Sequence, residues 1–386
     1  MFPRISDLLN YLFGTNINIP VQTYGFMMAL AFISGGYIMF LELRRKEKEG
    51  VIPPQKKKIL KGAPAGKMEL TWSAIFGFIL GWKGFGMIQY YSLFNANPQD
   101  FILSGQGNWL AGLLFGALFA LLSYYGKKKR ALKNPIEEEV TVHPWQLTGT
   151  IVLVAAVFGI IGSKIFDTIE HIGDLSRDPL GTIFSFSGLS FYGGLIVATF
   201  AVVWYANRNM IRYPHIFDVT APALILAYAV GRIGCQLSGD GCWGMINIAL
   251  QPSWMSFLPS WTWTFSFPHN VINEGLALPQ CSGNHCYVLP YPVYPTSLYE
   301  TLMGFIIFII LWSIRKKIRI PGYLFSIYLI LNGIERFLIE HIRINKLYNV
   351  LGIYLTQAEI IALILILLGG VGFVFFRKIN FRTENA

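Results

Sequence analysis

Long apolar runs are the feature of this sequence that most limits its fold. They span about 18 to 22 residues, the length at which a helix crosses the ~30 Å hydrocarbon layer of a bilayer. Hydrophobic residues make up 54% of the 386-residue chain, and charged residues make up 13%, against ~25% in soluble domains. This pattern predicts an all-α, polytopic integral membrane protein.

Nine membrane spans are predicted from these runs. Their approximate ranges are 22–42, 70–90, 108–125, 147–167, 189–207, 216–235, 297–314, 321–340 and 352–376. Basic clusters follow every odd-numbered span, and they begin at Arg44, Lys127, Arg208, Arg315 and Arg377. Because lysine and arginine are enriched in cytoplasmic loops, we expect the N-terminus outside and the C-terminus in the cytoplasm. The net charge of +10 is thereby explained by topology, and no nucleic-acid partner is expected.

The chain is interpreted as one transmembrane domain, 1–386, with two additions. Residues 43–146 contain cytoplasmic connectors and an inserted transmembrane hairpin, formed by the second and third spans. Residues 236–296 form a long external loop. No cleavable signal peptide is expected at the start of the chain, because residues 1–19 contain no sustained apolar core followed by a cleavage site.

Three of the four cysteines lie in the predicted external loop, where an oxidising compartment permits disulfides. A disulfide between Cys281 and Cys286 is the favoured interpretation, and a thiol metal site is the alternative. The six histidines are scattered without the spacing of metal ligands, so no metal set is predicted from them.

Several charged residues fall within the predicted spans, where each costs at least ~2.5 kcal/mol on insertion scales and needs a partner or a function. Arg232 lies near the end of the sixth span, and Glu300 begins the seventh. Four polar residues of the eighth span and its end share one helical face: Asn332, Arg336, Glu340 and Arg343. Glu335 is expected to point elsewhere, and Asp218 is expected to cap its own helix.

Two interpretations of the buried arginines are open. A single pair of Arg336 with Glu340 would favour a structural ion pair between helices. Arg232 at the same depth then needs a second anion, and lipid phosphate is available in every membrane. Arginine suits phosphate because its planar guanidinium donates two parallel hydrogen bonds.

Five motifs occur in an order that resembles the prolipoprotein diacylglyceryl transferase family. They are YGFM at 24–27, SFYGGLI at 190–196, GRIGCQLSGDGCWG at 231–244, YPTSLYE at 294–300 and GIERFLIE at 333–340. The third is similar to the family signature GRxGNFxNGExWG with one residue inserted. The resemblance as a whole covers seven of the nine predicted spans.

The resemblance implies a multi-pass protein of the bacterial inner (cytoplasmic) membrane that transfers the diacylglyceryl group of phosphatidylglycerol to the lipobox cysteine thiol of a prolipoprotein. Glycerol phosphate is released, and a thioether remains. The expected partners are phosphatidylglycerol, the prolipoprotein signal peptide and membrane lipid, and no cofactor or metal is expected. The implied catalytic residues are Arg232, Arg336, Glu340 and Tyr192. The implied substrate-binding residues are Tyr24, Gly193, Gly194, Asp240, Gly244, Tyr299, Glu300 and Arg343.

The chain departs from the family pattern at four positions. Tyr192 replaces a histidine, Cys235 and Ser238 replace asparagines, and Asp240 replaces a glutamate. Tyrosine, with a reference pKa of ~10, is a poorer base than histidine unless a nearby arginine lowers its pKa. These departures leave a second hypothesis open, a non-catalytic relative that binds lipid or lipoprotein. A transporter is a third, but the two halves lack the symmetry of inverted repeats.

Overall fold

The computed structural model describes residues 1–96, 98–132, 135–173, 190–281, 283–350 and 352–384. Its contacts divide the chain into two compact units. The main unit consists of Met1–Pro53 and His143–Ala386, and the hairpin unit is Pro54–Val142.

The described residues are mostly helical. In chain order the helices are α1 (Ile5–Phe13), α2 (Thr23–Lys48), α3 (Lys67–Gln89), α4 (Tyr91–Ala96), α5 (Pro98–Leu103), α6 (Trp109–Arg130), α7 (Thr148–Glu170), α8 (Phe191–Arg208), α9 (Tyr213–Ser238), α10 (Thr296–Ile314), α11 (Tyr323–Glu340) and α12 (Gln357–Glu384). Among the described residues, six helices are long and apolar enough to cross a membrane: α2, α6, α7, α9, α10 and α12. The chain is therefore a polytopic helical membrane protein, while the count of nine spans and their orientation stay predictions.

Three two-stranded β-ribbons correct the purely α-helical expectation. They pair β1 (Gln55–Lys61) with β2 (Ile136–Val142), β3 (Leu276–Ala277) with β4 (Tyr287–Val288), and β5 (Leu347–Val350) with β6 (Ile353–Thr356). The β1–β2 ribbon forms from the two charged runs predicted as connectors. Its strands carry opposite charge, and Lys61 Nζ lies 2.7 Å from a carboxylate oxygen of Glu138. Opposite charges across an antiparallel pair favour that register.

In the hairpin unit, α3 and α6 pack closely through glycines. A Cβ added at Gly81 would lie 2.4 Å from the Ala111 carbonyl oxygen, so a larger residue there would push the helices apart. Lys83 is buried on α3, and its ammonium donates to the carbonyl oxygens of Phe101, Ser104 and Gln106. These bonds offset the desolvation of a charge placed among apolar side chains.

In the main unit, α9 packs against α2, α10 and α11, while α7 packs on α8 and α11 packs on α12. A core around α9 includes Ile216, Val219 and Leu43, which are fully buried. Helix α9 has Pro214 in its first turn and is capped at its C-terminus by Gly239, whose φ of +67° is the left-handed conformation that favours glycine there.

Asp218 corrects one expectation about capping. Its carboxylate accepts hydrogen bonds from the backbone N–H groups of Gly322 (2.9 Å) and Phe325 (3.2 Å), at the start of α11. Lys46 Nζ on α2 lies 3.5 Å from the same carboxylate. Asp218 lies inside α9, so it caps a neighbouring helix rather than its own.

The 236–296 segment, predicted as a loop, is folded around a small core of Phe267, Leu289 and Val293. The favoured Cys281–Cys286 disulfide is present. The N-terminal ammonium of Met1 donates to the Pro268 carbonyl oxygen at 2.7 Å, which ties the start of the chain to this segment. Helix α1 was not predicted, because nine residues produce too short a periodic pattern to separate from a loop.

Candidate active site

Three arginines converge on the carboxylate of Glu300 in the first turns of α10. Glu300 is fully buried. Arg232 Nε of α9 lies 3.2 Å from its Oε2, Arg336 Nη1 of α11 lies 3.1 Å from its Oε1, and Arg343 Nη1 lies 3.3 Å from the same Oε1. One glutamate therefore joins α9, α10 and the end of α11.

Glu340 provides a second carboxylate one helical turn after Arg336. Its Oε2 lies 3.3 Å from Arg336 Nη2, and its Oε1 accepts a hydrogen bond from the Asn345 side chain. Arg336 thus contacts Glu300 with one terminal nitrogen and Glu340 with the other. The fork geometry of the guanidinium permits this double contact, which the point charge of a lysine cannot reproduce.

We call Arg232, Arg336, Arg343, Glu300 and Glu340 the arginine cluster. Its three guanidinium groups and two carboxylates leave one positive charge. The arginine side chains are 15 to 20% exposed and both glutamate side chains are 0% exposed, so the guanidinium groups are the accessible part of the cluster. Partly exposed guanidinium groups held over buried carboxylates suit the binding of a phosphate group.

Glu335, which was expected to point elsewhere, lies at the edge of this cluster. It is 3% exposed, and its Oε1 accepts a hydrogen bond from the Tyr228 hydroxyl at 3.2 Å. The Tyr228 ring also lies beneath Arg232, with 5.1 Å between the guanidinium carbon and the ring centroid. Helix α11 packs against neighbours on more than one side, so Glu335 is buried although it lies off the arginine face.

The turn after α9 lies beside Arg232. Arg232 Nη1 is 3.9 Å from Cys235 Sγ, and the Asp240 carboxylate accepts the backbone N–H of Cys242 at 3.2 Å. The Cys242 carbonyl oxygen in turn accepts the hydroxyls of Thr296 (2.6 Å) and Ser297 (3.1 Å), which begin α10.

Two predicted tyrosines are electrostatic neighbours of these charged groups. Tyr24, in the first turn of α2, is within electrostatic range of Arg232 and Asp240. Tyr192, in the first turn of α8, is within electrostatic range of Arg336 and Glu340. The structure therefore brings both near the charged groups predicted to act with them.

The predicted glycines have packing explanations. A Cβ added at Gly193 would lie 2.3 Å from Phe166 Cβ, and one at Gly194 would lie 2.3 Å from Ser163 Oγ, so both fit α8 against α7. A Cβ at Gly244 would lie 2.5 Å from the Ile342 carbonyl oxygen. The predicted Tyr299 donates its hydroxyl to the Thr262 carbonyl oxygen at 2.8 Å. Ligand contact by these four residues stays a prediction.

The family model described as prolipoprotein diacylglyceryl transferase matches residues 110–375, which is more than half of the chain. The chain belongs to this family. Curated relatives are named phosphatidylglycerol–prolipoprotein diacylglyceryl transferase. The one from Dehalococcoides mccartyi is 29% identical over 59% of this chain and 76% of its own length. Those from Staphylococcus haemolyticus and Chlorobaculum tepidum are 26% and 28% identical, over 61% and 64% of this chain and 74% and 78% of their own lengths.

As a member of the prolipoprotein diacylglyceryl transferase family, this chain keeps the arginines expected from the motifs and brings them together. Sequence reasoning missed Asn345 and Tyr228, and it assigned the balancing charge to Glu340 alone. A tyrosine four residues before Arg232 was a usable signal, because residues four apart share a helical face. Asn345 carried none, because it lies in the turn after α11.

Proposed function

We propose that this protein transfers the diacylglyceryl group of phosphatidylglycerol to the lipobox cysteine thiol in the signal peptide of a prolipoprotein. Family membership supports the reaction class. The observation that carries the proposal for this chain is the arginine cluster, in which three guanidinium groups and the carboxylates of Glu300 and Glu340 leave one positive charge in excess. A phosphodiester lipid carries the single negative charge that such a site accepts.

The arginine cluster contributes most to the reaction by stabilising the leaving group. The cysteine thiolate attacks the glyceryl carbon attached to phosphate, a C–S bond forms, and the C–O bond to phosphate breaks. The electron pair stays on the departing glycerol phosphate. Arg232 and Arg336 bind the phosphate and stabilise this added negative charge, while Glu340 and Glu300 orient Arg336, and Arg343 adds a third positive group.

Tyr192 takes the place of the family's histidine in this proposal. A phenol with a reference pKa of ~10 is a weak proton acceptor at neutral pH, but its O–H is a good hydrogen-bond donor. We therefore assign Tyr192 a hydrogen bond to a phosphate oxygen. Tyr24 of α2 and Asp240 of the turn after α9 border the proposed phosphate site. Four further residues complete the proposed substrate-binding site: Gly193, Gly194, Gly244 and Tyr299.

The proposed topology places the reaction at the outer face of the bacterial inner membrane. Nine helices cross the bilayer: α2, α3, α6, α7, α8, α9, α10, α11 and α12. The N-terminus and the 236–296 segment lie outside, and the C-terminus lies in the cytoplasm, in keeping with the basic clusters after odd-numbered spans. A secreted precursor would then expose its lipobox on the side where the arginine cluster lies.

A direct test combines purified protein, phosphatidylglycerol vesicles and a lipobox peptide. We expect the peptide to gain the mass of one diacylglyceryl group, with one glycerol phosphate released per modified peptide. A peptide with serine in place of the cysteine, and vesicles of phosphatidylcholine alone, are the controls. Phosphatidylglycerol binding without release of glycerol phosphate would instead support the non-catalytic relative that Tyr192 and Cys235 left open.

A further inference from the structure

Two free cysteines meet in the turn that follows α9. Cys235 is buried in the last turns of the helix, and Cys242 is half-buried seven residues later. Their Sγ atoms and a carboxylate oxygen of Asp240 all lie within 4.8 Å of one another.

The backbone holds the thiols together. Gly239 and Gly241 have φ values of +67° and +90°, which reverse the chain directly after α9. The Gly239 N–H bonds to the Cys235 carbonyl oxygen at 3.0 Å, which fixes the first end of the turn. Thr296 and Ser297 bind the Cys242 carbonyl oxygen, which fixes the second. The pairing of the thiols is therefore a property of the turn itself.

A divalent metal ion is the first chemistry to consider for two thiols and a carboxylate. The position of Arg232 disfavours it, because Arg232 Nη1 lies 3.9 Å from Cys235 Sγ and would repel a cation bound there. The same positive charge favours a thiolate. The hydrogen bond from the Cys235 thiol also lowers the pKa of Cys242 from its ordinary value. These features favour nucleophilic thiol chemistry over metal binding.

We infer that Cys235 and Cys242 form a redox-active pair that closes into an intramolecular disulfide beside Arg232. The Cys242 thiolate attacks a small-molecule or protein disulfide and releases one thiol. Cys235, on losing its proton, then attacks the mixed disulfide and releases the second thiol. Two protein thiols are oxidised and one external disulfide is reduced to two thiols. The Cys281–Cys286 disulfide supports this, because the 236–296 segment that contains Cys242 already holds an oxidised pair.

Oxidation of the Cys235–Cys242 pair is independent of the proposed transfer reaction. Purified full-length protein is treated with oxidised glutathione in the presence of a chelator, then denatured, alkylated, digested and analysed by mass spectrometry. We expect Cys235 and Cys242 to be unlabelled and linked to each other. After dithiothreitol treatment both should carry the label. Cys281 and Cys286 in the same sample report whether disulfides survived the handling.

Two variants separate this pairing from other oxidation. In the Cys242→Ser variant, Cys235 should carry the alkyl label after glutathione treatment. The matched control, Cys281→Ser combined with Cys286→Ser, should leave the Cys235–Cys242 link intact. Complete labelling of both Cys235 and Cys242 in oxidised wild-type protein, while Cys281–Cys286 stays protected, would overturn the inference. So would one zinc ion per chain that binds the two thiols and blocks their oxidation when the chelator is omitted.

Discussion

At the scale of single residues, Glu300 occupies a site that is both buried and highly charged. Its side chain is fully buried, yet it contacts three guanidinium groups from different parts of the chain. Desolvation of a carboxylate is costly, and only several opposite charges with good geometry offset it. The arginines are likewise kept at close range by this one anion. Glu300 is therefore a positioning residue for the phosphate ligands Arg232 and Arg336.

The first prediction concerns Glu300→Gln. The amide keeps the size of the side chain but leaves three arginines without their shared counter-charge. We expect the free energy of unfolding to fall by about 3 kcal/mol or more, as for other broken buried ion pairs. The rate of diacylglyceryl transfer should fall as well. Thermal unfolding in detergent and the transfer assay measure the two effects. The exposed Glu274→Gln is the control, and equal behaviour of the two variants would contradict the role given to Glu300.

A second prediction separates the geometry of Arg336 from its charge. Arg336→Lys keeps a positive group but cannot contact Glu300 and Glu340 from two terminal nitrogens. We expect a folded protein with transfer reduced about tenfold to a hundredfold, equivalent to ~1.4 to 2.8 kcal/mol of transition-state stabilisation. Arg319→Lys, at an exposed position, should retain the wild-type rate. A wild-type rate for Arg336→Lys would mean that charge alone is sufficient.

Much of this cluster was predictable from the sequence, and its organisation was not. The energetic cost of a charge in a membrane singled out Arg232 and Arg336 as residues that need partners. Helical spacing then linked Arg336 to Glu340, because both lie on one helix. Spacing contains no information about contacts between helices, so the approach of Glu300 to all three arginines required the tertiary structure.

At the scale of secondary-structure elements, close helix packing depends on glycines at the positions where two helices meet. Helix α7 offers a matched pair. A Cβ added at Gly162 would lie 2.5 Å from the Gly193 carbonyl oxygen, whereas one at Gly159 would meet no atom within 4 Å among the described residues. Contact of α7 with α8 also sets the position of Tyr192 at the start of α8.

The third prediction uses this pair. Gly162→Ala should separate α7 from α8 and lower the free energy of unfolding by about 1 to 3 kcal/mol, the usual result of overpacking. Gly159→Ala should leave stability unchanged or slightly raised, because alanine is the better helix former. Thermal unfolding followed by tryptophan fluorescence compares them. Equal destabilisation by both substitutions would show that the α7–α8 contact is not close.

The fourth prediction concerns the cap that Asp218 provides for α11. Asp218→Ala removes both the acceptor for two N–H groups and the partner of Lys46, so we expect a loss of about 1 to 3 kcal/mol in unfolding free energy. Asp218→Asn keeps an acceptor oxygen and should lose less. Chemical denaturation in detergent ranks the three proteins. An asparagine variant as unstable as the alanine variant would assign the effect to charge instead of capping.

Elements differed in how far the sequence revealed them. Each of the nine predicted ranges overlaps a long helix, because a run of apolar residues is a local signal. The ninth range, 352–376, begins too early, since Ile353–Thr356 form β6 and the helix begins at Gln357. Helix α11 is not among the six most apolar helices, since it carries Glu335, Arg336 and Glu340. The β1–β2 ribbon joins stretches about 80 residues apart, from Gln55↔Val142 to Lys61↔Ile136, and no local pattern announces such a pairing.

At the scale of the whole molecule, the orientation in the membrane is the expectation that the sequence supports most broadly. The fifth prediction tests it with a membrane-impermeant maleimide on intact cells. Glu274→Cys, in the 236–296 segment, should be labelled above the wild-type background, and Lys57→Cys, on β1, should be labelled only after the membrane is opened. Labelling of Lys57→Cys in intact cells would contradict a cytoplasmic location for the connectors.

The central claim is that the positive charge held over Glu300 binds the phosphate that becomes the leaving group. The most direct measurement is the rate of glycerol phosphate release from phosphatidylglycerol, in the presence of lipobox peptide, by wild type, Arg232→Ala and Arg319→Ala at equal amounts of folded protein. The account predicts release by wild type and Arg319→Ala and loss of at least a hundredfold in Arg232→Ala. Release by Arg232→Ala at the wild-type rate would contradict it.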